Sequence, residues 1–522
     1  MLSKDVHTIK LDETEQELFT ITEEMRTAML EAGKKASQIP VEYQVKEDIP
    51  YNFRDYDQMQ SFFINVTKQG FLDDNHPVVL IDAIIEKLDL TAVYEVYSKE
   101  GRPAYHPRMM LKILFYAYYC KIMTSRTIWN NVLNRCDFIF LAAGQVPDFR
   151  TINNFRKRHL AELPDIFAQI VMYCRELDMI GYKHLAIDGE KIQANANYTK
   201  SKNLEQISKE LDRLKTGLQK LLETEVNEYI SEAKKEKRIN TLEKKIEKLE
   251  PLQKQLEQIA DKNKRINLTD ADAPVMRLKD GRSRPAYNHQ TARDDKCGVV
   301  MAVGTSLSGD KADDLLPLVD QSVQNGGQHH EEVTADSGLG SYKNLEKFEA
   351  RPEDFHVPDT RFESSKSETA EGKKYSQARF HKNENGDYVC PAGRKMEFVR
   401  RIKSSDKSSY VDVYECSSCW NCTVKGQCTK AEKRQIMIDI REPLREKMRQ
   451  KLRSEKGREI YMKRQGLIES IHGDDQKNRG WIQHLLRGSE KAKGEFLLIR
   501  IVQNISCMIK HRSDQILEWA GT

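Results

Sequence analysis

Apolar positions along the chain change their period several times, and each change predicts a different element. Residues 1–70 are mixed and polar, with no sustained period. Residues 77–160 predict compact helices. RMMLKILFYAYYCKIM (108–123) is apolar nearly all round, as a buried helix is. Ser125 is placed to cap the next helix, RTIWNNVLNRC. Asp148 precedes a third, in PDFRTINNFRKRH (147–159), whose basic residues gather at its far end. Three short helices with a basic last one fit a helix-turn-helix-like DNA reader or an ordinary helical bundle equally well. HLAI (184–187) is a short β-type run ending in Asp-Gly, which reads as a strand entering a turn. From Leu204 to Leu221, and again from Leu242 to Ile259 around Pro251, apolar residues recur at heptad-like spacing among Lys, Glu and Gln. The polar stretch between the runs, NEYISEAKKEKRIN, favours a helical hairpin over a parallel two-chain coiled coil. PAYNHQTARD, GVVMAVGTSL, DDLLPLVDQSVQ and EEVTADSGLG (285–340) predict strand, strand, helix, strand. Residues 351–440 are polar and Cys-rich, 441–464 helical and strongly basic, and EFLLIRIVQNISCMIK is apolar enough to be core.

Composition narrows this pattern. A chain of 522 residues is too long for one ordinary core. With 39% hydrophobic and 31% charged residues it is polar but far from disordered. The net charge is only +4, from 84 basic and 80 acidic residues, so charge distribution rather than total charge carries any message about nucleic acid. No apolar run is long enough to span a bilayer, and MLSKDVHTIKLDETEQEL lacks the apolar region of a secretory signal. The expectation is a soluble cytoplasmic protein with no membrane partner. Five of the ten cysteines crowd between Cys390 and Cys428, which in a reducing compartment points to metal rather than disulfides.

The candidate chemistry lies in three carboxylates. Cutting and rejoining phosphodiesters requires an activated oxygen nucleophile and a stabilised, highly charged transition state. Two Mg²⁺ ions about 3.5–4 Å apart meet both needs, and Mg²⁺ takes hard oxygen ligands. Asp188 and Asp336 each follow a strand-like run, and Glu469 lies in the helical segment YMKRQGLIESIHGDDQK. Taken singly, each is more often a turn, cap or solvated residue than a ligand. Periodicity does not make them converge.

Six ordered segments do. GRPAYHPRMMLKILFYAYYCKIMTSRTI with PDFRTINNFRKRH, IDGEKIQANAN, DADAPVMRLKDG, YNHQTARD, TADSGLGSYKNL, and YMKRQGLIESIHGDDQKNRGW with LLRGSEKAKGEFLLIRIVQNI resemble insertion-sequence transposases of the DDE type, most closely the IS eleven-eighty-two group. The resemblance spans about residues 45–510. It implies an α/β multi-domain chain: an RNase H-like mixed-sheet core, interrupted by a helical hairpin and a Cys-rich insertion and preceded by an all-α DNA-binding domain. The expected divisions are an extension at 1–70, a helical domain at 71–165, core at 180–200 and 267–350, the hairpin at 201–266, the Cys-rich insertion at 351–440, and a basic helix with the glutamate helix at 441–522. Asp188 would bridge two Mg²⁺ (or Mn²⁺) ions, with Asp336 completing one site and Glu469 the other. Their separations, 148 and 133 residues, leave room for the two insertions.

Tyr461, Arg464 and Glu469 resemble the family's Tyr-Arg-Glu-Lys signature. The place of the Lys is taken by Gln476, with Lys477 beside it, and His472 stands where an aromatic is usual. These residues, with Arg150 and Arg156 of the N-terminal helices, are the candidate DNA contacts. Arg441, Arg445, Arg449 and Arg453 would form a positive stripe, read either as phosphate contacts or as a salt-bridged surface helix. Cys390, Cys416, Cys419, Cys422 and Cys428 offer ligands for one structural Zn²⁺, or are reduced structural thiols. The expected function is a bacterial, nucleoid-associated transposase that binds the inverted ends of its own element, cleaves, and joins the freed 3′-hydroxyl to target DNA. Its partners would be double-stranded DNA and at least one further copy of the chain. An inactive DNA-binding derivative and an RNase H-like nuclease without strand transfer are the alternatives.

Overall fold

In the computed structural model the described residues are 75–223, 232–259, 264–307, 315–359, 374–375, 377–404 and 408–521. The extension expected at 1–70 lies outside them. The described residues fall into two units: 75–162 with 508–521, and 163–507.

The first unit is helical: α1 (Pro77–Glu86), α2 (Thr91–Glu95), α3 (Pro107–Tyr119), α4 (Ser125–Asn134), α5 (Cys136–Leu141) and α6 (Phe149–Arg158). α1 and α3 start alike. A proline opens the helix, and the preceding histidine, His76 or His106, caps it by accepting an amide through Nδ1. α3 is buried from Met109 to Tyr118, including Lys112, whose ammonium lies 2.6 Å from Asp82. α4 is capped by Thr124, not by Ser125: the Thr124 hydroxyl accepts the Thr127 amide at 3.3 Å and Ser125 is already helical. Asp148 caps α6 through the Thr151 amide at 2.6 Å. Residues from 508 on belong with these helices. Lys87 ties them there, donating to the Trp519 carbonyl at 2.9 Å.

The second unit is built on a mixed sheet. After α7 (Leu163–Glu176) come β1 (His184–Gln193), β2 (Ser201–Lys202), α8 (Leu204–Glu223), α9 (Glu232–Glu257), β3 (Ile266–Asn267), β4 (Val275–Arg277), β5 (Ser283–Asp294), β6 (Val300–Ser306), α10 (Leu315–Gly326), β7 (Glu332–Ala335), α11 (Tyr342–Phe348) and β8 (Asp354–His356). The strand path is β4-β5-β1-β7-β8, with β6 also on β5. β1, β5 and β6 are antiparallel neighbours, and β7 and β8 run parallel to β1. α8 and α9 pack on each other through Ile207, Leu211, Leu249, Leu252 and Leu256. Gln253 reaches back to Ser208 at 3.0 Å, and the β2–β3 pair closes the base.

The Cys-rich segment holds β9 (His381–Lys382), β10 (Tyr388–Val389), β11 (Glu397–Lys403), β12 (Tyr410–Glu415), the short helix α12 (Lys425–Cys428) and β13 (Gln435–Asp439). β11, β12 and β13 form a three-stranded antiparallel sheet over a small core that includes Tyr388, Met396 and Ile436. The chain continues through α13 (Glu442–Arg453), α14 (Glu455–Gly473), a π-type turn (Asp474–Asn478) and α15 (Ser489–Ala520), which is kinked at Arg512. Ser454 ends α13 and caps α14. The bend is tight enough that a Cβ on Gly457 would fall 2.0 Å from the Lys451 carbonyl oxygen.

Candidate functional site

β1 and β7 keep register from His184 opposite Glu332 to Ile187 opposite Ala335. The next residue on each strand is an aspartate, Asp188 and Asp336. Neighbouring strands lie about 4.8 Å apart, and side chains alternate between faces. Asp188 and Asp336 therefore follow directly on paired residues of neighbouring parallel strands, at the same end of the sheet.

The two positions differ locally. β1 does not stop at the Asp-Gly pair, as the sequence suggests. β5 lies along its other edge, with Asp188 opposite Thr291 and Gly189 opposite Gln290, so the strand continues to Gln193. β7 does end, and Asp336 opens a short 3-10 turn, Ser337–Leu339. Each aspartate accepts the amide of its successor through Oδ1 at 2.7 Å. A Cβ on Gly340 would meet the Pro358 carbonyl oxygen at 2.3 Å, so only glycine lets the chain leave the turn along this path.

α14 packs across β1, β7 and β8. Arg293 of β5 pins it, donating to the Ser470 hydroxyl at 2.6 Å. Arg464 brings Nη2 to 3.0 Å from Asp188 Oδ2, and His472 brings Nε2 to 3.5 Å from the same oxygen. His472 Nδ1 lies 3.0 Å from Oε2 of Glu190, and Gln476 donates to Oε1 of the same carboxylate. Glu190 is 1% exposed. Burial disfavours the charged imidazole of His472, but its hydrogen bonds to Asp188 and Glu190 outweigh that, and its pKa is raised.

Glu469 is placed differently. Its side chain is exposed, and Gln465 of the same helix donates to it at 3.0 Å. At 100° per residue it lies off the Arg464–Ile468–His472 line that faces β1. The structure thus brings Asp188 and Asp336 together and leaves Glu469 on the outer side of the helix that covers them. Among the described residues no group of three or more His, Cys, Asp or Glu side chains is arranged to hold a metal ion.

The candidate DNA contacts separate by exposure. Arg150 and Lys477 are exposed. Tyr461 is half-buried, with the Arg464 guanidinium 6.0 Å from its ring, and Arg464 itself faces Asp188. Arg156 is not a surface residue: it is buried and donates to the Tyr118 hydroxyl at 2.9 Å and the Met123 carbonyl at 3.0 Å. Gln476 is turned inward to Glu190 rather than outward. The arginine stripe of α13 is also largely internal. Arg441 pairs with Asp439, Arg449 with Asp359 and Glu442, and Arg445 lies over the Tyr342 ring at 3.7 Å. Only Arg453 is more than half exposed. The salt-bridged reading of that helix therefore prevails, because acidic partners lie on β8's exit, β13 and α13 itself. Tyr287, Asn288 and Gln290 are buried in β5, which is a structural placement.

The five clustered cysteines line one cavity of about 20 Å³. The Arg394 amide approaches Cys390 Sγ at 3.3 Å and the Arg434 amide approaches Cys419 Sγ at 3.4 Å. Burial pushes the Cys416 and Cys428 thiols up.

Sequence reasoning missed Glu190 and the role of His472. The signal for Glu190 was present: two residues beyond Asp188 on a strand is the same face. It was hidden by reading Asp-Gly as a turn.

Two family models match the chain: a transposase DDE domain over residues 389–509 and a transposase domain (DUF772) over residues 66–158. No curated protein and no solved structure is significantly similar to it. The first match contains the helix that bears Glu469, the second contains helices α1 to α6, and both models describe transposases, which supports a DDE-type insertion-sequence transposase.

Proposed function

We propose that the chain binds the terminal inverted repeats of its element and carries out metal-dependent strand cleavage and strand transfer, as a member of the IS eleven-eighty-two group with an RNase H-like core. The observation that supports this best is the pair of aspartates that follow directly on paired residues of parallel β1 and β7. The strand order gives the RNase H-like reading its support: β1, β5 and β6 antiparallel in succession, then β7 and β8 on the other edge of β1.

The donor set fits Mg²⁺ or Mn²⁺ in chemistry, since it consists of carboxylate oxygens on rigid elements. Asp188 and Asp336 would hold the ions from the sheet, and Glu469, now on the outer side of α14, would join them only if α14 rolls on the sheet. When bound, two such ions activate a water or 3′-hydroxyl and neutralise charge on the reacting phosphate. Arg464 and His472 hold Asp188 from the helix side. Exposed Lys477 and Arg150 are suited to phosphate contact. The Cys-rich segment is proposed to carry one structural Zn²⁺, supported by the five cysteines that line one cavity, whose sulfurs would have to draw together around the ion. Pairing of two ends would require at least two copies of the chain.

The test is a gel assay with DNA carrying the inverted repeats that flank the reading frame. Mg²⁺-dependent nicking and joining, both lost in Asp188→Ala and Asp336→Ala, is the expected result. Cleavage that survives both substitutions would sink the proposal. Cleavage without joining would leave a nuclease, and specific binding without cleavage an inactive derivative.

A further inference from the structure

Glu190 is a buried carboxylate that the chemistry above does not use. Both of its oxygens are taken, one by His472 Nδ1 of α14 at 3.0 Å and the other by Gln476 Nε2 of the turn that follows. The other nitrogen of His472, Nε2, is buried without a hydrogen-bond partner and faces Asp188 Oδ2 at 3.5 Å. Asp188 and Glu190 share one face of β1, so a single imidazole spans both carboxylates.

We propose that His472 is a positioning residue for Asp188, held in its orientation by Glu190 and Gln476. This rests on the reading of Asp188 as a metal ligand. A carboxylate that holds a metal through one oxygen keeps its direction when the other oxygen is hydrogen-bonded, and removing such a partner typically weakens metal binding about 10–100-fold. The contact of Nδ1 with Glu190 fixes the ring plane of His472, and with it the direction in which Nε2 faces Asp188. Arg464 lies 3.0 Å from the same Asp188 oxygen, so α14 fixes that oxygen with two side chains. Gln476 completes the set by fixing the second Glu190 oxygen. Its place in the chain therefore serves β1 and not DNA.

The arrangement also explains the turn that follows α14. A regular α-helix past Gly473 would present residues at fixed 100° steps. The π-type turn over Asp474–Asn478 accompanies Gln476 onto Glu190.

The experiment measures Mn²⁺ binding to the full-length protein by electron paramagnetic resonance, with thermal melts as the folding control. In the wild type, Mn²⁺ binding should be lost in Asp188→Asn. His472→Phe should weaken it about tenfold or more, Glu190→Gln should weaken it in the same direction, and the double variant should be no weaker than His472→Phe alone. Gln476→Ala should leave the salt dependence of DNA binding unchanged. If His472→Phe does not fold, Glu190→Gln alone carries the test. Unchanged or tighter Mn²⁺ binding in a folded His472→Phe or Glu190→Gln protein overturns the positioning role while leaving Asp188 as a ligand. Absence of any Asp188-dependent Mn²⁺ binding in the wild type overturns both.

Discussion

Asp475 and Arg500 are both fully buried, and their charges lie 2.6 Å apart. Burial raises the Asp475 carboxyl above its ordinary value, and Arg500 offsets this only in part. The two partners should therefore respond unequally to loss of the other. In Arg500→Met, Asp475 is left without its cation but can take up a proton, which burial already favours. In Asp475→Asn, Arg500 keeps a charge it cannot shed. Removing one member of a buried pair costs about 3–5 kcal/mol. We expect Arg500→Met near about 3 and Asp475→Asn near about 5 kcal/mol, with Arg500→Met/Asp475→Leu close to neutral. Gln503, which accepts from Arg500 at 2.6 Å and donates to Asp475 at 3.1 Å, softens both. The assay is amide hydrogen exchange of residues 489–507 in the full chain at pH 7. These costs correspond to exchange faster by on the order of a hundredfold and a few thousandfold. The reverse order, or acceleration below tenfold in both, would refute the reasoning. Because Asp475 precedes Gln476, the same loosening should reach the end of α14.

Other consequences can be read in the same way. Arg449→Ala removes the 2.5 Å partner of Asp359 and leaves Arg445 3.9 Å from the same oxygen; denaturant titration should show a loss below the about 3–5 kcal/mol of a fully unpaired buried charge, while the salt slope of DNA binding stays fixed. A slope reduced by about one would restore the phosphate reading of α13. Burial lowers the His184 pKa to about 4, and its Nε2 lies 2.7 Å from the Thr334 hydroxyl. A depressed folded value means that stability is intact above about 6.5 and is lost as pH falls towards about 4. Between pH 7 and 5 the wild type should lose about 2 kcal/mol that His184→Asn does not; an equal loss in both proteins would contradict this. Metal analysis should find one zinc per chain, absent in Cys416→Ser/Cys419→Ser. Chelation should lower the melting temperature, and a zinc-free protein with an unchanged melt would remove the metal from the Cys-rich segment.

The elements best legible in the sequence were those with one dominant period. The apolar run at 108–123 is the buried α3, and the heptad spacing from Leu204 is helix α8 packed on α9. What was not legible depended on partners distant in the chain. Asp188-Gly189 looks like a turn until β5, about a hundred residues later, pairs along it. Ser125 is the better cap by type, and only the Thr127 amide decides for Thr124. The arginines of α13 look like a DNA stripe because Asp359 and Asp439 lie outside the helix. For the site, the register of β1 and β7 places two of the expected carboxylates together. The outward side chain of Glu469 and the inward one of Gln476 follow from how α14 is rolled and unwound on the sheet, which residue spacing does not encode.

The central claim is that β1, β7 and α14 form one metal site, and iron-directed backbone cleavage tests it most directly. Fe²⁺ with ascorbate and peroxide cuts a chain near the bound ion. The account predicts cuts near residues 188, 336 and 469 of the full-length protein, suppressed by excess Mg²⁺ and lost in Asp188→Ala. Cuts confined to other segments, or cuts at these three places that persist in Asp188→Ala, would contradict it.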